Sequence, residues 1–279
     1  MSKKNTNDAF RNPLGQVVKY DCEYNPKLLF PINRQEKRNE LFIGDILPFT
    51  GEDIWNAYEI SWLNDAGLPQ VALAEFRFRA DSECIIESKS FKLYLNSFNQ
   101  SYFKCSNDLT KVMQNDLREI TNSKVVVKIM GLDNNYELHV LKAKNIDDQC
   151  ITIDTYNYSP ELLSLVDVKN ESIVEESLIS HLLKSNCLIT NQPDWASILV
   201  EYKGLKICEQ SLLKYIVSFR SHNEFHEQCV ERIFVDIMKY CKPEKLTVYA
   251  RYTRRGGLDI NPWRSNHLST MDNVRLSRQ

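Results

Sequence analysis

An order of two strands, two helices and one strand is predicted twice along the chain, and this repeat constrains the fold more than any single motif. The first half begins with the apolar runs Ile54–Leu63 and Gln70–Phe78, which flank a turn and favour strands. Helical spacing follows in Ser88–Asn99 and Asp108–Thr121, and Lys124–Met130 ends this half as a strand. Strands joined by short turns predict an antiparallel sheet that carries its helices on one face.

The second half repeats this order. Strands are predicted at Cys187–Thr190 and Ser197–Tyr202, and a helix at Glu209–Arg220. Phe225–Cys241 has the clearest helical periodicity of the chain, and Leu246–Arg254 is the returning strand. We therefore predict an α+β fold of two tandem modules, each an antiparallel sheet with helices packed on one face.

The predicted domains follow from this order. Residues 1–44 are polar and contain three prolines, so we expect an irregular extension that lies on the surface. The first module then occupies 45–150 and the second 151–279. The join falls between Met130 and Ile173, where Asp and Asn are frequent.

The composition is that of a globular protein. The chain has 279 residues, 43% of them hydrophobic and 26% charged, with a formal net charge of −2. This charge gives no general attraction to nucleic acid or to an anionic membrane, and no apolar run is long enough to span a bilayer. Eight cysteines without a CxxC pair, behind an amino terminus that lacks a secretory signal, predict reduced thiols and a cytoplasmic location.

A cysteine and an aspartate flank one tight turn. Cys187 opens a short apolar run, Asn191–Pro193 has turn chemistry, and Asp194 follows directly. A thiol and a carboxyl on one short loop are sufficient for a minimal covalent active site. The alternative is a core cysteine and a turn aspartate, which is the commoner role for each residue alone.

Two further clusters leave alternatives open. His222, His226 and Cys229 have the spacing of one helical face and resemble half of a zinc site, although HExxH is absent and no second soft cluster completes it. Glu227, at the helix start, is suited either to accept two N–H groups of a guanine-like edge or simply to complement the helix dipole.

Basic residues form two groups that suit phosphate. Lys89 and Lys92 lie three apart, and an arginine run precedes two glycines, a pattern that fits an anion or a solvated strand end. Neighbouring aromatic residues predict a flat cationic surface around the arginines. The arginine run, its two glycines and the neighbouring aromatic residues comprise Tyr249, Arg251, Tyr252, Arg254, Arg255, Gly256, Gly257 and Trp263. GxGxxG is absent, so a Rossmann site is not expected.

Four long strings, in this order, resemble the 7-cyano-7-deazaguanine reductases, a nitrile reductase family also called QueF. The similarity runs from about Leu47 to Ser265 and is that of the long form with two tandem T-fold modules. It departs from the family pattern at Cys150, where an acidic residue is usual. The strings are Glu87–Gln100, Ser180–Trp195, Ser218–Phe234 and Tyr249–Ser265.

The resemblance implies a mechanism. Cys187 matches the nucleophile that adds to the nitrile carbon and forms a thioimide, and Asp194 matches the proton donor. Two equivalents of NADPH then give the aminomethyl product, in the biosynthesis of the modified tRNA nucleoside queuosine. Closure of the site over the intermediate imine prevents its hydrolysis.

The resemblance also implies the binding residues and partners. Substrate positions match Ile86, Glu87, Ser88, His226 and Glu227. NADPH positions match Ser88, Lys89, Arg255 and Gly256. A small deazapurine is the expected substrate, with no catalytic metal, no membrane and no direct contact with nucleic acid, in a homodimer whose site lies at a junction between modules or subunits.

Two alternatives belong to other classes. One is a zinc-dependent cyclohydrolase of the T-fold superfamily acting on a purine-like or pterin-like substrate, with His222, His226 and Cys229 as ligands. The other is a non-catalytic T-fold protein that binds partners, in which Cys187 has no chemical role.

Overall fold

The computed structural model of the chain describes residues 21–133, 137–166 and 173–279. Short 3-10 helices occur at Pro26–Leu28, Pro160–Leu162 and Phe219–Ser221. The first half contains β1 (Pro31–Asn33), α1 (Arg34–Glu40), β2 (Thr50–Leu63), β3 (Pro69–Arg79), β4 (Cys84–Ile86), α2 (Ser88–Asn96), α3 (Ser106–Thr121) and β5 (Val125–Met130). The second half contains β6 (Lys144–Asn145), β7 (Ile173–Asn186), β8 (Pro193–Leu205), α4 (Glu209–Ser218), α5 (His226–Tyr240), β9 (Lys245–Tyr252) and β10 (Leu258–Ser265).

One eight-stranded sheet unites the two halves, in the order β5-β3-β2-β10-β9-β8-β7-β6. The seam is the antiparallel pair of β2 and β10, in which Ile260 lies opposite Trp55 and Leu258 opposite Ala57. Every pair in this sheet is antiparallel except β6 with β7. A separate small sheet pairs β1 with β4. Residues 144–145 thus pair with the first long strand of the second half.

The helices cover one face of this sheet. In the first half Phe91 of α2 makes edge contacts with Trp55 and Phe76, at centroid distances of 5.1 and 5.0 Å. In the second half the apolar stripe of α5 packs on the even-numbered residues of β8 and β9. The predicted α+β class, two antiparallel modules with helices on one face, is confirmed, and it is the arrangement expected of tandem T-fold modules.

Two long strands differ from the prediction, and the short strands β1, β4 and β6 were not predicted. The first long strand of the second half is β7, whereas Cys187–Thr190, predicted as that strand, forms a turn. A register shift between Ser180 and Leu183 breaks the alternation of β7 and conceals it in the sequence. The strand β10 was not predicted at all, and its buried Asp259 and Asn261 interrupt the apolar pattern by which a buried strand is recognised.

Those polar groups of β10 are satisfied inside the protein. Asn261 Nδ2 donates to the carbonyl of Ile54 at 3.1 Å, and the Tyr58 hydroxyl donates to Asp259 Oδ2 at 2.6 Å. Hydrogen bonds of this kind remove most of the cost of burying polar side chains. The strand is therefore stable without the apolar pattern that sequence reasoning requires.

The segment before residue 45 is more structured than expected. Within its described part, α1 places Arg34 and Arg38 in the interior instead of on an irregular surface. Arg38 Nη2 lies 2.7 Å from Glu231 Oε1 of α5, and Arg34 pairs with Asp53 of β2. Because buried charges need partners, these pairs tie the segment to both halves. None of the helices in the described ranges combines the length and apolar character needed to cross a membrane.

Candidate active site

Cys187 and Asp194 lie at the two ends of the β7–β8 connection. The Cys187 amide donates to the carbonyl of Gln192 at 2.8 Å, and the Asn191 amide donates to the Cys187 carbonyl at 3.0 Å. Asn191 has a φ of 55°, a conformation that asparagine tolerates better than most residues. Asp194 is the second residue of β8 and lies opposite Ser185. One short hairpin thus carries both predicted reactive groups.

Asp194 is buried and surrounded by positive charge. Arg255 Nη1 lies 2.8 Å from its Oδ1, as an ion pair whose N–H groups do not meet hydrogen-bond geometry. Burial raises the pKa of Asp194 to about 6, and the charges of Arg255, Lys92 and Lys184 only partly oppose this. A carboxyl with this pKa still carries its proton in a useful fraction of molecules near neutral pH, as a proton donor requires.

The Cys187 thiol has the opposite tendency. The residue is buried, with 7% of its surface exposed, and burial alone would raise its pKa. Hydrogen bonds from the side chain and backbone of Thr190 and from Arg255 outweigh burial, so the pKa lies below that of an ordinary cysteine. The thiolate is the nucleophilic form of cysteine, and these contacts favour it.

The amino end of α5 brings two further predicted residues to this place. His226 is the first helical residue, its Nε2 lies 3.6 Å from Asp194 Oδ1, and 13% of its side chain is exposed. Its ring meets the Tyr252 ring edge-on at a centroid distance of 4.1 Å. Burial, together with the charges of Arg255 and Lys92, lowers the pKa of His226 to about 3, so the imidazole is neutral.

Glu227 is buried next to His226, and its Oε1 has no hydrogen-bond partner among the described residues. Burial, reinforced by the negative charge of Asp53, raises the pKa of Glu227 well above that of an ordinary glutamate. A buried carboxyl oxygen without a partner is uncommon in native proteins and marks a position where a ligand donor is missing.

The first module contributes the start of α2. Glu87 is its N-cap, and the two carboxylate oxygens accept from the amides of Lys89 at 2.9 Å and Ser90 at 2.7 Å. Ile86 is buried at the end of β4, Ser88 is half-buried and Lys89 is exposed. Glu87, which the resemblance gives as a substrate position, is therefore held by the helix end, and its carboxylate oxygens keep lone pairs for a ligand.

Lys92 links α2 to the reacting groups, a role that the sequence did not assign to it. The residue is half-buried, and burial and the charge of Arg255 lower its pKa, while Glu87, Asp194 and Cys187 oppose this. A Cβ atom on Gly256 would lie 3.4 Å from Lys92 Cδ. The helix with Ser88 and Lys89 therefore meets the loop with Arg255 and Gly256 at this lysine.

The basic residues outside that loop do not form the predicted flat cationic surface. Arg251 is buried, and its guanidinium donates to Gln279 Oε1 at 2.9 Å and to the Tyr249 hydroxyl at 2.7 Å. Tyr252 and Trp263 are also buried. Both faces of β9 are buried, and Trp263 lies on the buried strand β10, which leaves the loop after β9 as the accessible basic segment.

The predicted zinc half-site is not assembled. The helix begins at His226, so His222 lies outside it, with its Nε2 3.1 Å from Glu224 Oε2. His226 faces Asp194, and Cys229 is buried in the core, which raises the pKa of its thiol. No group of three or more His, Cys, Asp or Glu residues suited to a metal ion occurs in the described part of the chain.

Comparisons with known proteins identify the family of this chain. A model described as "Nitrile reductase, 7-cyano-7-deazaguanine-reductase N-term" matches residues 20–129, and one described as "QueF-like protein" matches residues 193–270. A protein of Hydrogenovibrio crunogenus is 54% identical over 99% of both chains. One of Colwellia psychrerythraea is 50% identical over 99% of both, and one of Cupriavidus necator is 54% identical over 96% of this chain and 98% of its own. All three are named NADPH-dependent 7-cyano-7-deazaguanine reductase.

Proposed function

This chain belongs to the family of 7-cyano-7-deazaguanine reductases, and we propose that it uses NADPH to reduce the nitrile of 7-cyano-7-deazaguanine through a covalent thioimide on Cys187. The product is 7-aminomethyl-7-deazaguanine. The observation that carries the proposal is the hairpin on which a thiol of lowered pKa and a carboxyl of raised pKa both contact Arg255. Pairs of groups whose environments move their pKa values apart are typical of acid and nucleophile assignments.

The first step is addition. The Cys187 thiolate forms a bond to the nitrile carbon, one π bond of the C≡N group opens, and its electron pair takes a proton from Asp194 at nitrogen. The result is a thioimide, with the sulfur bonded to carbon and Asp194 ionised. Arg255, 2.8 Å from Asp194, then stabilises the new carboxylate.

Two reductions complete the reaction. NADPH, when bound, supplies a hydride to the former nitrile carbon in each of them. After the first reduction Cys187 leaves as thiolate, and an imine forms. Asp194 is positioned to donate and regain protons at the nitrogen throughout. The buried setting of both residues excludes water, which would otherwise hydrolyse the imine.

The residues present fit the two ligands. Glu227 Oε1 has no partner in the described part of the chain, and this supports contact with the N–H groups of the deazaguanine edge, together with Ile86, Glu87, Ser88 and His226. Cationic side chains at Lys89 and Arg255, with Ser88 and the exposed Gly256, support phosphate binding for NADPH.

The wider setting is part of the same proposal. We propose that the product enters queuosine biosynthesis, that the enzyme is a cytoplasmic homodimer without direct contact to nucleic acid, and that 1–44, 45–150 and 151–279 are its domains. Support comes from the family pattern, the net charge of −2 and the eight cysteines, which contain no CxxC pair. Glu87 and Cys187 belong to different modules, so the site lies between them.

The experiment is intact-protein mass spectrometry after mixing with 7-cyano-7-deazaguanine in the absence of NADPH. We expect a mass increase of one substrate molecule, which is lost in Cys187→Ala. Addition of NADPH is expected to consume two equivalents per nitrile. A full rate of reduction without an adduct on Cys187 in the wild type or in the variant would reject the thioimide.

A further inference from the structure

A small cavity lies beside the reacting groups, between α2, the strand β2 and the turn that joins β9 to β10. Its volume is about 90 Å³, which suits one five-membered sugar ring and not a base or a whole dinucleotide. The polar and glycine residues that line it are Glu59, Lys92, Asn96, Asn99, Gly256 and Gly257.

Three of these side chains have a polar group without a partner among the described residues. Within residues 21–133, 137–166 and 173–279, neither Glu59 nor Lys92 makes a hydrogen bond or an ion pair. Asn99 donates through Nδ2 to Asn96 Oδ1 at 2.9 Å, but its buried Oδ1 accepts nothing in the same part of the chain. Because buried polar atoms are nearly always paired, the Asn99 Oδ1 atom indicates a missing donor. Glu59 is exposed and Lys92 is half-buried, so their charged groups are accessible to the same ligand.

The backbone is built to bring Glu59 to this place. A register shift between Ala57 and Ile60 interrupts the pairing of β2, and the freed Tyr58 amide donates to the Gly257 carbonyl at 2.9 Å. Gly257 has a φ of 69°, and any side chain there would overlap the Glu59 carboxylate. The glycine therefore provides both the turn and the space for the carboxylate.

The three groups define the chemistry of the ligand. A carboxylate and an amide oxygen accept from hydroxyl groups, and a lysine next to them binds an anion, so a vicinal diol next to a phosphate satisfies all three. A ribose 5′-phosphate has this pattern, and acidic side chains bind ribose hydroxyls in other dinucleotide sites. The adenosine ribose of NADPH is excluded, because its 2′-phosphate would meet the negative charge of Glu59.

We propose, resting on the proposed function, that this cavity binds the nicotinamide ribose of NADPH, with Glu59 and Asn99 accepting from its hydroxyls and Lys92 contacting the adjoining phosphate. The position agrees with the chemistry. Gly256 lines the cavity and follows Arg255, whose guanidinium lies 2.8 Å from Asp194. A ribose held here is adjacent to the place where the nicotinamide must approach the carbon bonded to Cys187.

The test is calorimetric binding, without nitrile, of three ligands that differ at the nicotinamide end: NADPH, 2′-phospho-ADP-ribose and 2′-phospho-ADP. Glu59→Gln removes the charge and keeps the shape of the side chain. We therefore expect the affinity for the first two ligands, which contain this ribose, to fall by roughly tenfold or more. Binding of 2′-phospho-ADP, which lacks the ribose, is expected to stay within twofold. Asn99→Ala is expected to give the same selectivity, and Asp65→Asn, in the exposed β2–β3 turn, is the charge-matched control.

Two results would overturn the assignment: unchanged binding of all three ligands in Glu59→Gln, or an equal loss for all three. Adduct formation with 7-cyano-7-deazaguanine needs no NADPH, so it reports separately on the fold of each variant and on the proposed function. An adduct in Glu59→Gln with unaltered NADPH binding rejects the ribose site alone. Absence of an adduct in the wild type rejects the thioimide, whatever the binding series gives.

Discussion

Arg255 Nη1 lies 2.8 Å from Asp194 Oδ1, and the same guanidinium helps to lower the pKa of the Cys187 thiol. One cation from the β9–β10 turn therefore stabilises the ionised forms of both reactive groups on the β7–β8 hairpin. The two groups respond differently because burial dominates at Asp194, whereas hydrogen bonds from Thr190 and Arg255 dominate at Cys187. This difference produces a nucleophile and a proton donor in one small volume.

The first prediction concerns the nucleophile. Cys187→Ala is expected to abolish both the covalent adduct and turnover, because alanine offers no electron pair to the nitrile carbon. Steady-state NADPH oxidation and intact mass measure the two effects. Cys150→Ala, at an exposed cysteine, is the matched control and is expected to retain wild-type rates. Turnover that survives in Cys187→Ala would reject the nucleophile assignment.

The second prediction is the pH dependence of the acid. Asp194 must carry its proton when the thioimide forms, and its pKa is about 6. We expect the rate of adduct formation to fall as pH rises above this value, and Asp194→Asn to be slower by ~10²–10⁴-fold. Stopped-flow measurements between pH 5 and about pH 8 follow the alkaline limb. A wild-type rate in the variant would remove Asp194 from the mechanism.

The third prediction is that the same substitution stabilises the folded protein. Burial raises the pKa of Asp194 from near 3.9 to about 6, so the folded state binds the proton more tightly than the unfolded state. The stability that this provides is fully present below about pH 4 and is lost as pH rises through 6. Asp194→Asn, neutral at every pH, avoids this loss.

We therefore expect Asp194→Asn to raise the free energy of unfolding near neutral pH by up to about 3 kcal/mol, less whatever the lost ion pair with Arg255 contributes. The gain is expected to vanish at about pH 4. Urea titrations at both pH values measure it. Equal destabilisation at both would show that the ion pair, and not burial, dominates at Asp194.

Sequence reasoning found the elements whose periodicity is regular. The α5 helix was located to within one residue at each end, because a continuous apolar stripe from Cys229 to Ile237 packs on the sheet. Sequence reasoning missed the strands in which a bulge or buried polar side chains interrupt the regular alternation. The bulge between Ser180 and Leu183 concealed β7, and the hydrogen-bonded polar side chains of β10 interrupt its apolar pattern.

Only the part of the candidate site that is contiguous in sequence, the hairpin with Cys187 and Asp194, could be predicted. Cys187 and Asp194 are seven residues apart, so the turn between them is visible in the sequence. Their contact with Arg255, and the approach of Lys92 from the other module, depend on how α2 and the β9–β10 turn meet across the sheet. No spacing along the chain reports such a contact, since it is set by tertiary packing.

The fourth prediction separates cofactor binding from substrate binding. Arg255→Ala removes the cation proposed to contact NADPH phosphates, so we expect NADPH affinity to fall about tenfold or more and nitrile affinity to change less. The variant also raises the pKa of Cys187, because one of its hydrogen bonds is lost. Equilibrium binding of each ligand alone provides the measurement, with Arg255→Lys, which retains the charge, as the control. Equal losses for both ligands would contradict a phosphate role.

The last prediction concerns the proton on Glu227. Burial and the charge of Asp53 favour its neutral form in the free protein, yet its Oε1 has no partner within the described residues. A substrate edge that presents two N–H donors is bound best by the ionised carboxylate. We therefore expect binding of 7-cyano-7-deazaguanine at neutral pH to release a proton. The N–H groups of the ligand stabilise the ionised carboxylate of Glu227, which then loses the proton that burial favours in the free protein.

Calorimetry in buffers of different ionisation enthalpy measures this release directly, with Cys187→Ala used to prevent the covalent step. Glu227→Gln cannot ionise and presents an amide donor to the substrate N–H groups, so we expect no proton release and affinity reduced by about a hundredfold. Glu224, also buried on this side of the sheet, is already paired with Arg232 at 2.7 Å and is not expected to release a proton. Proton release that persists in Glu227→Gln would assign it to another group and would leave Glu227 without a role in recognising the substrate edge.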